Sequence, residues 1–203
     1  MDAAGKDSTI RRCFGPINPQ GCRTSSFKEP TDVEQRHDFL WRPHRETPAR
    51  GMIQVFNRSH YEDVLVARVK ELVPRKVWKR RYDHINAFEK LLTDEGTAIL
   101  KFYLHIGKDY QKQRLERRLA KASKRWKFSE SDLRERRRWE EYMTAYEEML
   151  GRCSPAHAPW FVVPAERRWY RDLVITQALV DTLESMELQI PETDLDPEKV
   201  EIR

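Results

Sequence analysis

Four short strand-like runs, each followed by a longer stretch with helical spacing, constrain this 203-residue chain most strongly. The runs cover residues 22–27, 52–56, 96–106 and 160–164. Helices are expected over 7–14, 32–42, 62–72, 76–94, 109–122, 129–150 and 168–186. Strands alternating with helices indicate an α/β domain built on a mainly parallel sheet. The run Gly96-Thr97-Ala98-Ile99-Leu100-Lys101-Phe102-Tyr103-Leu104-His105-Ile106 is the clearest strand, and its near-continuous apolar character predicts a central position. Pro43 and Pro48 are expected to end the helix over 32–42, and Ser129-Glu130-Ser131-Asp132 resembles an N-terminal cap.

Charge is distributed unevenly. Residues 108–138 hold thirteen Lys/Arg and five Asp/Glu, a local +8 in a chain whose total is +5, so the remainder sums to −3. A basic block of this size favours a polyanionic partner, either nucleic acid or another phosphate chain, and the alternative is a solvated helix face. Residues 184–203 hold seven acidic and two basic residues with two prolines, which predicts a frayed acidic tail. Cys13, Cys22 and Cys153 cannot all pair and show no metal-binding spacing, so reduced thiols in a cytoplasmic protein are expected. No apolar run approaches the ~18 residues that span a bilayer, so no membrane partner is expected.

Three stretches can carry chemistry. Asp2-Ala3-Ala4-Gly5-Lys6-Asp7 looks like the second half of a phosphate-cradling loop. In the full pattern backbone N–H groups wrap phosphates, a lysine neutralises them and a hydroxyl holds magnesium. Asp7 stands at the hydroxyl position, and the pattern's first glycine falls ahead of Met1. Phe56-Asn57-Arg58-Ser59-His60-Tyr61-Glu62 lies at the C-terminal end of a predicted strand, where open parallel sheets bind ligands. Arg58 and Glu62 there suit phosphate and magnesium respectively, while Asn57 or Ser59 serving only as a helix cap is the alternative. His60 fits a packing or hydrogen-bonding role better than that of a general base. The third stretch is the basic block, in which Arg114, Arg117, Arg118 and Lys121 share a helical face. Trp126 within it suits either stacking on a base or wedging into a local core.

Six blocks then occur in one order: "DAAGKDSTI", "NPQGCRTSSFKEPT", "FNRSHYEDVLVARV", "WKRRYDHINAFEKLLTDEGTAILKFYLHI", "KRWKFSESDLRERRRWEEYMTAYEEML" and "APWFVVPA". Together they resemble the family-2 polyphosphate kinases over nearly the whole chain. The resemblance implies a P-loop NTPase, thymidylate-kinase-like parallel sheet flanked by helices, with a helical basic lid. It also implies magnesium-dependent (or manganese-dependent) phosphoryl transfer between inorganic polyphosphate and AMP, ADP or ATP. It assigns residues 1–186 to the kinase-like domain, about 108–138 to the lid and 187–203 to the acidic tail. Family members carry a glycine two positions ahead of Asp2, so the first strand and first loop glycine are expected to be missing, with Met1 an internal start.

By position, Lys6 resembles the P-loop lysine and Asp2 the loop aspartate that orients metal or the attacking phosphate, giving a catalytic set of Asp2, Lys6 and Arg58. Gly5, Lys6, Arg117, Arg118, Lys124 and Lys127 match phosphate and polyphosphate binding. Asp2 and Glu62 are the metal candidates, and Asn57 and Arg58 the nucleotide candidates. Most of the family has Asp-Arg-Ser where this chain has Asn57-Arg58-Ser59, and this wording resembles the subgroup that accepts both AMP and ADP. The resemblance implies a homo-oligomer. Two alternatives stand beside the active kinase: a weak or inactive remnant, and a nucleic-acid module using the basic segment. The chain shows no nucleic-acid motif and no aromatic–basic repeat, which argues against the latter.

Overall fold

The structure is a computed structural model and describes residues 3–189. The expected acidic tail therefore falls, from residue 190 onward, outside the described residues, as does Asp2. The chain opens with α1 (Lys6–Thr9), which runs directly into a π-helical turn, Ile10–Phe14. After the break at 15–21 come β1 (Cys22–Ser26), α2 (Asp32–Gln35), α3 (Trp41–Arg45) and β2 (Ile53–Asn57). The second half holds α4 (Glu62–Val69), α5 (Arg75–Asp94), β3 (Lys101–His105), α6 (Lys108–Ala120) and a 3-10 turn, Ala122–Lys127. It closes with α7 (Glu130–Arg137), α8 (Trp139–Arg152), β4 (Trp160–Pro164) and α9 (Arg168–Ser185).

All strand pairing is parallel, as expected of strands joined through helices. The expectation of one sheet with residues 96–106 at its centre is corrected. β1 pairs with β2 (Cys22 opposite Ile53), and β3 with β4 (Lys101 opposite Trp160), as two separate two-stranded sheets. β2 and β3 each keep one edge without a strand partner among the described residues, and residues 97–100 join no strand among them, so β3 starts only at Lys101. Its apolar character comes from burial on both faces rather than from central pairing. Phe102 and Leu104 join Cys13, Val163 and Ile175 on the α9 side, while Tyr103 stacks on Tyr146 of α8 at 4.5 Å.

A single helix over 32–42 is also corrected. Thr31 and Glu34 form a reciprocal capping box that starts α2, which then stops at Arg36. The Asp38 carboxylate accepts from Leu40 N at 2.9 Å, a local bond that competes with helix continuation. Pro43 does not end a helix but sits inside the first turn of α3, where a missing N–H costs nothing.

The largest core lies between α4, α5 and α8. Val64, Tyr82, Ile85, Ala145 and Met149 are fully enclosed there, with Trp160 of β4 packed against them. This layer holds the β2–α4 turn from beneath, and α9 holds the opening loop.

Candidate active site

Residues 3–9 form a tight loop into α1, with Ala3 and Gly5 in the left-handed region at φ 66° and 103°. Thr9 N donates to Gly5 O at 3.0 Å, and the Ser8 and Thr9 hydroxyls donate to the same carbonyl at 2.8 and 3.1 Å. A Cβ on Gly5 would lie 2.4 Å from Arg171 Nη1, so only glycine fits there on both backbone and steric grounds. Arg171 is 1% exposed, and its Nε and Nη2 donate to Asp172 Oδ1 at 2.8 and 2.6 Å. Asp172 also accepts from Arg12 at 3.4 Å, so α9 clamps both the loop and the π turn. Ala4 packs with Ile106 and Ala165, which places the loop against the carboxyl ends of β3 and β4.

The other half-sheet reaches the same point. Asn57, the last residue of β2, donates through Nδ2 to Asp7 Oδ1 at 3.1 Å. Its side chain thus spans to α1 and is not a helix cap, and α4 begins at Glu62 with no side-chain cap. Arg58 follows in the left-handed region at φ 63° and is exposed. Glu62 is half-buried in the first turn of α4. Lys6, also half-buried, makes no ion pair among the described residues. Two of the three predicted stretches are therefore brought together at the carboxyl ends of parallel strands, where backbone N–H groups and strand-end loops are available to a ligand. His60 is buried against Phe88 and Glu89, in keeping with its expected packing role.

The third stretch folds as α6, the 3-10 turn and α7. Burial first, then the charges of Arg168, Arg117 and Arg118, hold the Arg114 guanidinium below its usual pKa. Lys124 is held down first by Lys121, with Arg117, Arg114 and Arg168 adding to it. These like charges are close enough to repel one another, which is the electrostatic condition for binding a polyanion. Arg118 is differently placed: its Nη1 donates to Asp132 Oδ2 at 3.2 Å and to Lys127 O at 3.4 Å, tying α6 to α7. Arg136 adds bonds to Lys108 O and Gln111 Oε1. The Ser129 cap forms as expected, accepting from Ser131 N. Trp126 is not wedged into a core: it is 78% exposed, with Lys127 Nζ 4.9 Å from its ring centroid.

Two features escaped the sequence. Arg168 and Arg171 lie in a helix start, Arg168-Trp169-Tyr170-Arg171, whose mixed basic and aromatic character was the available signal. A polar hollow of about 230 Å³ opens at the carboxyl end of β1, lined by Ser25, Ser26, Phe27, Glu34, Arg42 and Glu46 among others. Arg42 lies 5.4 Å from the Phe27 ring centroid, so the hollow offers both cationic and aromatic surface.

The family model described as Polyphosphate kinase 2 (PPK2) matches residues 1–191. The chain belongs to the polyphosphate kinase 2 family. An AMP/ADP-polyphosphate phosphotransferase of Meiothermus ruber is 52% identical over 202 residues, spanning 100% of this chain and 76% of that protein. An ADP-polyphosphate phosphotransferase of Rhodopseudomonas palustris is 45% identical, spanning 95% of this chain and 71% of that protein. The crystal structure of Polyphosphate Kinase 2 from Arthrobacter aurescens superposes with a TM-score of 0.95 at 46% identity, covering 98% of this chain and 70% of that one. Polyphosphate kinase 2 membership and the α/β architecture thus agree, and the geometry above lies within the matched residues.

Proposed function

We propose that this chain transfers phosphoryl groups between inorganic polyphosphate and nucleotides, converting AMP to ADP and ADP to ATP. The observation that carries the reading is the cluster of mutually repelling cations formed by Arg114, Arg117, Lys121, Lys124 and Arg168. Such a cluster is relieved by a ligand carrying many negative charges, and polyphosphate is one. The names of the Meiothermus ruber and Rhodopseudomonas palustris relatives supply the reaction class.

In this reading the terminal phosphate of the nucleotide attacks the end phosphorus of polyphosphate in line, without a covalent enzyme intermediate. The new P–O bond forms as the bond to the rest of the polyphosphate chain breaks, and the shortened chain leaves with that oxygen. Catalysis of this kind needs alignment and neutralisation of charge on the equatorial oxygens. Lys6 and Arg58 supply charge, and the backbone N–H groups beside Gly5 supply donors. Arg117, Lys124 and Lys127 grip the polyphosphate, while Arg118 braces the lid, about residues 108–138, through Asp132. Asn57 and Arg58 border the nucleotide.

Magnesium or manganese would be held by Asp2 and Glu62, with Asp7 as a further oxygen donor, and it would add charge neutralisation at the transferring group. Among the described residues no three Asp, Glu, His or Cys side chains cluster. Magnesium typically takes one or two carboxylates and completes its shell with water and substrate phosphate, so a sparse donor set fits it. A P-loop arrangement with a further strand ahead of Asp2 belongs to the same reading, supported by β2 and β3 each keeping an edge without a strand partner among the described residues. Homo-oligomers are part of it too, supported by the exposed Trp169, Leu173 and Val180 along α9.

The test is a luciferase-coupled assay with polyphosphate and ADP or AMP (the latter with a downstream ADP readout), on this chain and on an N-terminally extended form. Polyphosphate-dependent ATP formation supports the reading. Its absence in both forms contradicts it.

A further inference from the structure

Four titratable side chains outside the phosphate-handling residues share one enclosed space beneath the β2–α4 turn. Lys101, the first residue of β3, and Glu89 of α5 are 6% and 1% exposed, and lie 2.5 Å apart. All three Lys101 N–H groups are used, since Nζ also donates to the Tyr61 hydroxyl at 2.9 Å and to Cys153 O at 2.8 Å. Tyr61 in turn donates to Glu89 Oε1 at 2.8 Å, and His60 Nε2 faces that oxygen at 3.3 Å. His60 Nδ1 is buried with no hydrogen-bond partner among the described residues. The tautomer that fits these partners carries its proton on Nε2, donating to Glu89 and leaving a bare acceptor at Nδ1. Burial would raise the Glu89 carboxyl, but the His60 hydrogen bond and the Lys101 charge outweigh it and hold the group ionised.

A buried ion pair contributes little net stability over an apolar replacement of the same shape, so stability is a poor explanation for this one. Its position offers a better one. The two residues it anchors, His60 and Tyr61, immediately follow Arg58-Ser59, and Arg58 is exposed while they are buried. Arg58 sits at φ 63°, a region that a long side chain occupies only when the surrounding structure holds it there. Ser59 Oγ accepts from Tyr61 N at 3.4 Å, a long bond that cannot fix the turn by itself. Backbone bonds from Glu62 N to Ser59 O and from Asp63 N to His60 O, both 3.1 Å, close the turn locally, and the Tyr61 hydroxyl, held between Glu89 and Lys101, is what ties it to α5 and β3.

We propose that Tyr61, anchored on the Glu89–Lys101 pair, is a positioning residue that holds Arg58 in its left-handed conformation toward the transferring phosphate. This rests on the reading of Arg58 as a phosphate-handling residue. Tyr61 itself touches no substrate.

Tyr61→Phe removes one hydroxyl and leaves the ion pair in place. Two readouts apply to the full chain. In hydrogen exchange, the peptide spanning residues 56–62 exchanges at least tenfold faster in the variant, while the middle of α5 is unchanged. In kinetics with polyphosphate and ADP, kcat falls at least tenfold with KM for ADP within twofold, and this loss vanishes in an Arg58→Ala background. Unchanged exchange over 56–62 overturns the proposal, as does an equal kcat loss in the presence and absence of Arg58. If Tyr61→Phe does not fold, Glu89→Gln combined with Lys101→Met removes both charges together and is read in the same way. Inactivity of both the given chain and its N-terminally extended form would contradict the phosphotransferase reading, and the exchange result would still decide whether Tyr61 holds the turn.

Discussion

Asn57 at the end of β2 and Asp7 in the first turn of α1 are 50 residues apart in sequence and joined by a 3.1 Å hydrogen bond. This bond connects the half-sheet that ends in Arg58 to the loop that carries Lys6. The two candidate phosphate-handling residues therefore share one mechanical link, and the link lies at the protein surface. An exposed hydrogen bond of this kind is worth about 0.5–1.5 kcal/mol of stability. Misalignment of reacting groups by about 1 Å costs on the order of 10² in rate. Asp7→Ala should accordingly lower the melting temperature by only a few degrees while reducing kcat at least tenfold. Parallel melting curves and steady-state kinetics check this, and a variant with full activity would exclude a role for the bond.

Gly5 has no tolerance for a side chain. At φ 103°, a Cβ meets Arg171 Nη1 at 2.4 Å, and Arg171 is pinned by Asp172. Strain of this kind costs about 1–3 kcal/mol. For a chain of this size each kcal/mol moves the midpoint by roughly 2–4 °C. Gly5→Ala should therefore lower the melting temperature by about 2–12 °C in a thermal scan. Arg171→Ala in the same chain should relieve the clash but not the backbone strain, so the double variant should lose less than the two single losses added together.

The sequence made the alternation of strands and helices legible because β3 is covered on both faces and β4 on one, through Phe161 and Val163, which produces apolar runs. It overextended the strand over 96–106 because apolar residues such as Ile99 and Leu100 read as strand whether or not a partner strand lies beside them. It also missed the break between α2 and α3, because one Asp38 side-chain bond decides it and the periodicity there is helical throughout. Asn57 and Arg58 were legible from their place at a strand end. Arg171 was not, since a buried arginine packed against the loop of residues 3–9 looks in sequence like any surface cation. The basic block was legible as a charge cluster, but which cation ties α6 to α7 depends on the Arg118–Asp132 contact, which sequence spacing does not reveal.

The cations of residues 108–138 should separate into two kinds. Arg117→Ala and Lys124→Ala should raise KM for long-chain polyphosphate at least several-fold, with KM for ADP little changed, because these charges face other cations rather than a carboxylate. Raising the salt should weaken polyphosphate binding in the wild type and less so in these variants. Arg118→Ala should instead raise protease sensitivity across residues 108–138, since it removes the tie to Asp132. Equal effects from all three would show that the basic segment does not divide its work in this way.

The three cysteines should differ in reactivity. Burial is the main cause that raises each thiol above its usual pKa, and it pushes Cys153 up to about 12. Cys13 and Cys153 are buried and Cys22 only half-buried. Labelling with a thiol reagent near pH 8 followed by mass mapping should modify Cys22 first. Cys153 should react only when the chain unfolds, because the thiolate is the attacking species and neither the thiolate nor the reagent is accommodated in that core.

Lys6 offers the most direct test of the account. It is half-buried at the start of α1 and makes no ion pair among the described residues, so its loss should leave the fold intact. Removing one donor from a comparable electrostatic site costs on the order of 10²–10³ in rate. In whichever form of the chain is active, ATP formation from polyphosphate and ADP should therefore fall by about that factor in Lys6→Ala, with an unchanged melting temperature. Wild-type turnover in a folded Lys6→Ala protein would contradict the placement of phosphoryl transfer at this loop.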